Sequence, residues 1–132
     1  QLWVANRTAS RAQTLTSELA PHLGGVPLHG SGLDALASAG RFDLVINATS
    51  ASLDGQAPAL PDGLFAPGAL AYDMVYGQGL TPFLRLAQAA GDTRVADGLG
   101  MLVEQAAESF AIWRGLRPDT GPVLKQLAVP LS

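Results

Sequence analysis

The sequence contains no cysteine, a single lysine (Lys125) and no hydrophobic run long enough to cross a membrane. Without cysteine the chain can form neither disulfides nor thiolate metal sites, and a reducing cytoplasm is the compartment we expect. A membrane-spanning helix needs about 20 successive apolar residues, and neither such a run nor anything like a signal peptide is found. We therefore expect a cytoplasmic protein with no membrane partner.

Charge is also scarce, because Asp, Glu, Lys and Arg make up only 14% of the 132 residues and the formal net charge is −3. A slightly acidic chain has no general basic field, which argues against nucleic acid as a partner. His22 and His29 have no companions at metal-ligand spacing, so we expect no metal site. Apolar residues, in contrast, make up 48% of the sequence and suffice for a hydrophobic core. Length and composition indicate one globular domain over residues 1–132.

The chain opens on an apolar run of strand length, Leu2-Trp3-Val4-Ala5, that stops at the polar triplet Asn6-Arg7-Thr8. Open α/β sheets bind ligands beyond the carboxyl ends of their strands, and NAD-preferring folds usually place an acidic residue there. Here Arg7 and, one helical turn on, Arg11 suit the 2′-phosphate of NADP, since Arg binds phosphate bidentately and a helix N-terminus offers free N–H groups. Thr8 is also a good helix cap, with both arginines solvating the helix end. Both interpretations stay open at this point.

Strand-like and helical patterns alternate along the rest of the chain, which predicts an α/β fold with a doubly wound, Rossmann-like, mostly parallel sheet. Residues 51–67, rich in Gly, Pro, Asp and Ala, predict a surface loop tucked onto the body by Leu60, Leu64 and Phe65. Predicted strands lie at Leu2–Ala5, Val26–Leu28, Phe42–Asn47 and Thr93–Ala96, and the segment Gly68–Tyr76 predicts a further strand that runs into a loop. Predicted helices run from Thr8 to the Gly24-Gly25 pair, over Leu33–Ala37, from Thr81-Pro82 to Gly91, over Met101–Trp113 and from Asp119-Thr120 to Leu127.

Two of these patterns also predict burial. Three consecutive apolar residues, Leu44–Ile46, are typical of a parallel strand that is buried on both faces. In the long helix the helical spacing predicts a core stripe, with Met101, Gln105 and Ser109 on a neighbouring face. The residues of that stripe are Leu102, Ala106, Phe110 and Trp113.

Five motifs, in order and with family spacing, resemble those of shikimate dehydrogenase. They are Asn6-Arg7-Thr8, Asn47-Ala48-Thr49-Ser50, Tyr72-Asp73-Met74-Val75-Tyr76, Thr81-Pro82 and the string from Asp97 to Ala107. The last string, Asp-Gly-Leu-Gly-Met-Leu-Val-x-Gln-Ala-Ala, is specific, whereas an Asn-Arg-Thr triplet by itself is weak. The resemblance implies that residues 1–132 are the NADP(H)-binding portion of an enzyme that reduces 3-dehydroshikimate to shikimate on the route to aromatic amino acids.

The resemblance also implies roles for individual residues. For the cofactor it implies a 2′-phosphate clamp (Asn6, Arg7, Thr8 and Arg11), a path along the cofactor (Thr49 and Ser50) and a nicotinamide pocket (Met74, Gly98 and Met101). For the shikimate or 3-dehydroshikimate substrate it implies Tyr76 and Gln105. Gln105 offers donors and an acceptor to a polyol, and Gly98 would let the backbone approach a flat ring closely. The ordinary alternatives are Met74 as core filler, Tyr76 as a loop anchor and Gln105 as a solvated helix residue.

Two features of the family are not found in this sequence: the Gly-rich turn that cradles the pyrophosphate, and the N-terminal domain with the catalytic Lys and Asp. Lys125 lies on the last helix, and we interpret Asp73 and Asp97 as loop and cap carboxylates, so we expect no catalytic residue in the chain. In the strand order 3-2-1-4-5-6 the missing strand is the central one. The strands at Leu2 and Leu44 would then carry unpaired edges, and we expect such a fragment to close the gap by dimerisation or rearrangement, or to be a proteolytic remnant.

Other functions stay open beside the first. One is a quinate/shikimate dehydrogenase of broader specificity, since the family places the residues that choose between the two polyols mostly in its other domain. Another is a dehydrogenase with the same clamp, such as a glutamyl-tRNA reductase, which the Asp97–Ala107 string disfavours. The last is a nucleotide-binding module without chemistry.

Overall fold

The computed structural model describes residues 1–51, 55–77 and 79–131, and the chain divides into two compact units. Unit 1 comprises Gln1–Arg41 and Ala59–Leu64, and unit 2 comprises Phe42–Pro58 and Phe65–Ser132. Residues 52–54, within the predicted surface loop, lie outside the described residues. Both units combine helices with parallel strands, which confirms the α/β class.

Unit 1 is a strand–helix–strand arrangement. Strand β1 (Leu2–Asn6) pairs in parallel with β2 (Leu28–Gly32), so that Leu2 lies opposite Leu28 and Asn6 opposite Gly32. Helix α1 (Ala9–Leu19) connects them and buries Ala12 and Thr16. Short 3-10 turns follow at Ala20–His22 and Asp34–Ser38. The predicted opening strand and the helix after it are confirmed.

Strand β2 lies later than its predicted position at Val26–Leu28. It runs instead over the small residues Gly30-Ser31-Gly32, and a Cβ at position 30 would collide with the Thr16 hydroxyl and the Ala12 carbonyl of α1. Glycine therefore lets α1 pack directly on β2. The prediction was wrong because this contact between elements, rather than local propensity, selects the strand.

In its described residues, unit 2 consists of a three-stranded parallel sheet with the order β3-β4-β5 and three α-helices. The strands are β3 (Phe42–Asn47), β4 (Phe65–Asp73) and β5 (Thr93–Asp97), and the helices are α2 (Pro82–Ala89), α3 (Leu99–Arg114) and α4 (Gly121–Leu127). The final residues of the three strands, Asn47, Asp73 and Asp97, lie side by side in register. This carboxyl edge of the sheet is where a parallel fold places its ligands.

The core of unit 2 lies between β4 and α2. Ala69 and Ala71 of β4 are buried, as are Phe83, Leu84 and Ala87 of α2. Thr81 caps α2 by accepting the Leu84 N–H at 3.3 Å, and Gly91 after the helix has a φ of 120°. The predicted helix from Thr81-Pro82 to Gly91 is confirmed.

Strand β3 is not buried on both faces. Leu44 and Ile46 are 51% and 55% exposed, while Val45 on the opposite face is half-buried. Helix α2 packs against β4 and β5, so β3 at the edge of this sheet keeps one face open. An apolar run is therefore compatible with a half-exposed edge strand as well as with a buried one.

Strand β4 begins at Phe65, three residues before the predicted Gly68, and it ends at Asp73, within the predicted segment Gly68–Tyr76 that runs from strand into loop. Pro67 lies in it where the register with β3 shifts, and a proline is tolerated at such an irregularity because no regular ladder bond is lost there. Leu64 and Phe65 are buried, as expected of residues that hold the preceding loop.

Helix α3 buries a different stripe from the predicted one. Leu99, Val103 and Ala107 are buried, whereas Trp113 is 78% exposed. The two stripes share a four-residue spacing and differ by one residue in phase, so periodicity could not decide between them. Leu102, Ala106 and Phe110 instead line an apolar groove together with Val123 and Leu127 of α4.

Among the described residues, no helix has both the length and the apolar character needed to span a membrane. The same residues bring no three His, Asp or Glu side chains together in a way that could hold a metal ion.

Candidate functional site

Asn6 shapes the turn between β1 and α1 in unit 1. Its Oδ1 accepts the backbone N–H of Thr8 at 2.9 Å. Thr8 occupies the N-cap position with extended backbone angles, but its side chain makes no capping hydrogen bond. The interpretation of Thr8 as a side-chain cap is therefore wrong, and Asn6 organises the turn.

Arg7 and Arg11 lie at this uncapped end of α1. Both are exposed, and neither forms an ion pair within the described residues. The first turn of the helix carries no acidic residue. Two guanidiniums without a counter-charge, next to free N–H groups and the positive end of the helix dipole, fit a phosphate group.

Asp73 is the centre of a hydrogen-bond network at the carboxyl edge of unit 2. Its carboxyl group is fully buried; Oδ2 accepts the Thr81 hydroxyl at 2.6 Å, and Oδ1 accepts Asn47 Nδ2 and the Val75 N–H, each at 3.2 Å. Asn47 and Thr81 are buried as well. Asp73 is thus a buried strand-end group, and its interpretation as a loop carboxylate is wrong.

Thr49 and Ser50 follow β3 in a turn that Asn47 organises. Asn47 Oδ1 accepts both the backbone N–H of Thr49, at 3.1 Å, and its hydroxyl, at 2.7 Å. Both Thr49 and Ser50 are exposed. Their side chains are accessible to a ligand at the carboxyl end of β3.

Gly98 packs against the backbone that follows β4. A Cβ at position 98 would overlap the Met74 carbonyl, and the Gly98 N–H donates to the Val75 carbonyl at 3.2 Å. Its glycine identity is explained by this backbone contact, a different physical reason from the approach of a flat ring. Met74 itself is 40% exposed, so the interpretation of Met74 as core filler is wrong.

The remaining predicted residues of unit 2, namely Tyr76, Met101 and Gln105, are exposed. Met101 and Gln105 lie one helical turn apart on α3 and therefore share a face. The Gln105 side chain is accessible, as required of a group that binds a polyol.

Two side chains lie at the first turn of α3. Asp97 Oδ1 accepts the Leu99 N–H at 3.2 Å, which confirms Asp97 as a cap carboxylate. The backbone N–H of Met101 lies near the Tyr72 hydroxyl and lowers its pKa, an effect smaller than those that raise it. Burial, assisted by the negative charge of Asp97, raises the pKa of Tyr72 above its ordinary value, so the phenol stays protonated at neutral pH.

Comparisons with known proteins bear on these features. A family model described as the shikimate 5′-dehydrogenase C-terminal domain matches residues 98–128. The shikimate dehydrogenase (NADP(+)) of Alcanivorax borkumensis is 58% identical over 126 residues, which cover 96% of this chain and 44% of that protein. The chain resembles the C-terminal portion of shikimate dehydrogenases. It spans a little under half the length of these curated relatives.

Solved structures agree with the resemblance to shikimate dehydrogenase. The crystal structure of an Ael1 enzyme from Pseudomonas putida has a TM-score of 0.87 and 52% identity, covering 100% of this chain and 47% of its own. The shikimate 5-dehydrogenase of Thermus thermophilus, solved in complex with NADP(H) and shikimate, has a TM-score of 0.73 and 36% identity, covering 93% and 43%. These matches confirm the Rossmann-like fold class.

The structure also reveals side-chain contacts at this edge that no local sequence pattern predicts. Asn47 and Thr81 hold Asp73. One signal was present, because every strand of the two sheets except β2 ends in Asn or Asp. Which of these side chains bind one another depends on pairing between distant segments, and the local sequence does not show it.

Proposed function

We propose that the chain is the cofactor-binding part of an NADP-dependent shikimate dehydrogenase. The observation that carries this proposal is the uncapped N-terminus of α1 with its two unpaired guanidiniums, in a chain similar to NADP-linked shikimate dehydrogenases. The NADP(H) cofactor, a small polyol substrate of the shikimate class and a cytoplasmic location belong to the same proposal.

In this proposal unit 1 binds the adenosine end of the cofactor. Asn6 and Thr8 fix the turn after β1, and Arg7 and Arg11 bind the 2′-phosphate. A cofactor that lacks this phosphate loses the charge-assisted hydrogen bonds of the guanidiniums. The proposed preference is therefore for NADP(H) over NAD(H).

In the same proposal unit 2 binds the nicotinamide end of the cofactor, where the substrate is reduced. Thr49 and Ser50 line the path of the cofactor, Met74, Gly98 and Met101 flank the nicotinamide, and Tyr76 and Gln105 contact the substrate. When bound, NADPH supplies the hydride that reduces the substrate carbonyl. The chain's own residues bind and orient, and we assign no catalytic residue among them.

The direct test is an assay of the protein expressed from the complete reading frame that contains this chain. We expect oxidation of NADPH, followed by absorbance, when 3-dehydroshikimate is added, and a much weaker reaction with NADH. Turnover of quinate with similar efficiency would favour the broader quinate/shikimate activity. Tight NADPH binding without turnover of either polyol would favour a nucleotide-binding module.

Substitution of Arg7 by Ala tests the phosphate clamp. We expect NADPH binding to weaken by about 1.5–3 kcal/mol, the scale of a hydrogen bond to a charged group, while NADH binding stays almost unchanged. Arg41→Ala is the matched control, because Arg41 is also an exposed arginine of unit 1 but does not lie at a helix N-terminus. Titration with both dinucleotides measures the effect, and equal losses for the two would contradict the clamp.

A further inference from the structure

We infer that Asp73 is a positioning residue, which sets the backbone of the Met74–Tyr76 segment for the nicotinamide and the substrate. The inference rests on the proposed function, which places Met74 and Tyr76 at the reacting end. Asp73 itself is fully buried and does not need to touch either ligand.

The carboxyl group of Asp73 joins three separate parts of unit 2. Asn47 Nδ2 reaches it from the end of β3, the Thr81 hydroxyl from the start of α2, and the Val75 N–H from the segment that follows β4. The hydroxyl of Thr81 has one hydrogen, which it gives to Asp73, and its oxygen accepts the Leu84 N–H. Each donor in this network therefore has a defined acceptor.

The backbone of the same segment is held from two further sides. The Met74 N–H donates to the Asn47 carbonyl at 3.1 Å, and the Gly98 N–H donates to the Val75 carbonyl at 3.2 Å. The Met74 carbonyl lies where a Cβ of Gly98 would be. These contacts hold the backbone of Met74 and Val75, from which the exposed Met74 side chain projects and after which the exposed Tyr76 follows directly.

Asp73→Asn tests the role of the carboxyl group, since the amide has the same shape but presents an N–H₂ group in place of one acceptor oxygen. Thr81→Val removes the donor hydroxyl at nearly constant volume, and Thr81→Ser keeps it. The readout is the Kd of two ligands for the protein expressed from its complete reading frame. NADPH carries the nicotinamide, whereas adenosine 2′,5′-bisphosphate carries the 2′-phosphate without it.

We expect Asp73→Asn and Thr81→Val to weaken NADPH binding about tenfold, the factor expected for one hydrogen bond to a charged group. Both variants should bind adenosine 2′,5′-bisphosphate as the unsubstituted protein does, and Thr81→Ser should restore NADPH binding. A parallel loss of both ligands would indicate general damage to the fold and overturn the inference. So would unchanged NADPH binding in Asp73→Asn. If the unsubstituted protein bound neither ligand, the proposed function itself would fail.

Discussion

Gly98 and Gly100 lie two residues apart at the start of α3, and their surroundings differ. A Cβ at position 98 would overlap the Met74 carbonyl, whereas a Cβ at position 100 meets no atom within 4 Å. Overpacking against backbone costs about 1–3 kcal/mol. We therefore expect Gly98→Ala to lower the free energy of unfolding by about that amount, as measured by urea denaturation.

Gly100→Ala is the matched control for Gly98→Ala. Replacing a glycine inside a helix by alanine stabilises by about 0.5–1 kcal/mol when space is available. The two substitutions should therefore change the unfolding free energy in opposite directions. Similar losses from both would mean that the Met74 contact does not determine the identity of residue 98.

A substitution at Gln105 tests substrate binding separately from cofactor binding. In the proposed function its exposed side chain binds the polyol, so Gln105→Ala should raise the KM for shikimate with little change in the Kd of NADPH. Ser109→Ala is a suitable control, because the Ser109 hydroxyl donates to the backbone carbonyl of Gln105 and plays no part in the proposed site. Should the cofactor Kd rise instead, the assignment of Gln105 to the substrate would be wrong.

Single residues were predictable where their chemistry is local. Arg7 and Arg11 come shortly after the end of β1, so their location at the start of α1 was predictable from the local sequence, while the phosphate site itself stays a prediction. Asp73 was misinterpreted because its partners Asn47 and Thr81 lie 26 and 8 residues away. Hydrogen bonds between segments that are distant in the sequence follow no fixed residue spacing, so a sequence pattern cannot predict them.

At the scale of elements, the connection between α3 and α4 depends on Glu104. Its carboxylate accepts the Thr120 hydroxyl at 2.7 Å and pairs with Arg117, also at 2.7 Å. Arg117 in turn contacts Glu108 at 2.8 Å. The hydrogen bond from Thr120, followed by the one from Arg117, holds the pKa of Glu104 below its ordinary value of 4.5.

This shift of the Glu104 pKa makes the connection sensitive to acid. Because the folded-state pKa is the lower one, the stabilisation is present above about pH 4.5 and is lost as the pH falls through the folded-state value. Glu104→Gln should therefore lower stability at pH 7, and the difference from the unsubstituted protein should shrink at pH 3. Urea denaturation at both values measures it, and Thr120→Val against Thr120→Ser tests the leading cause. Parallel losses with falling pH in the unsubstituted and Glu104→Gln proteins would contradict the assignment.

Elements whose ends are marked by capping or helix-ending residues were predicted well. Elements whose location or buried face depends on packing against a neighbour were not. Helix α2 begins at Thr81-Pro82 and ends before Gly91, all of which are local signals. The stripe of α3 that is buried and the location of β2 depend on which neighbour packs against them. Gly30 is an example: it lies in β2 where α1 packs closely, and a Cβ at this position would collide with the Thr16 hydroxyl.

At the scale of the whole molecule, the alternation of strands and helices was sufficient to predict a parallel α/β fold. It did not predict that the strands form two separate sheets, each with its own compact unit. In the predicted strand order 3-2-1-4-5-6 the strands that correspond to β1 and β3 lie on either side of a central strand and do not pair with each other, which is compatible with two sheets. Which strands pair is decided by the assembled sheet, and no residue of β1 or β3 indicates by itself which strand lies beside it.

The edges of β1 and β3 predict how the isolated chain behaves in solution. Within the described residues β1 pairs in a sheet only with β2, and β3 only with β4, so each of these strands lies at an edge of its sheet. Such edges, beside the exposed Leu44 and Ile46, favour pairing with a second copy. We therefore expect the 132-residue chain to self-associate as its concentration rises, as measured by sedimentation.

Lysine substitution distinguishes pairing at a strand edge from non-specific association through exposed apolar surface. Ile46→Lys places a charge on β3, a device that natural edge strands use against association, and should shift the isolated chain toward the monomer. Ile112→Lys is the control, because Ile112 on α3 is 81% exposed and lies outside both sheets. If Ile112→Lys reduced association as much as Ile46→Lys did, exposed apolar surface rather than the strand edge would drive it. A strictly monomeric chain with β1 and β3 fully protected from hydrogen exchange would refute edge pairing altogether.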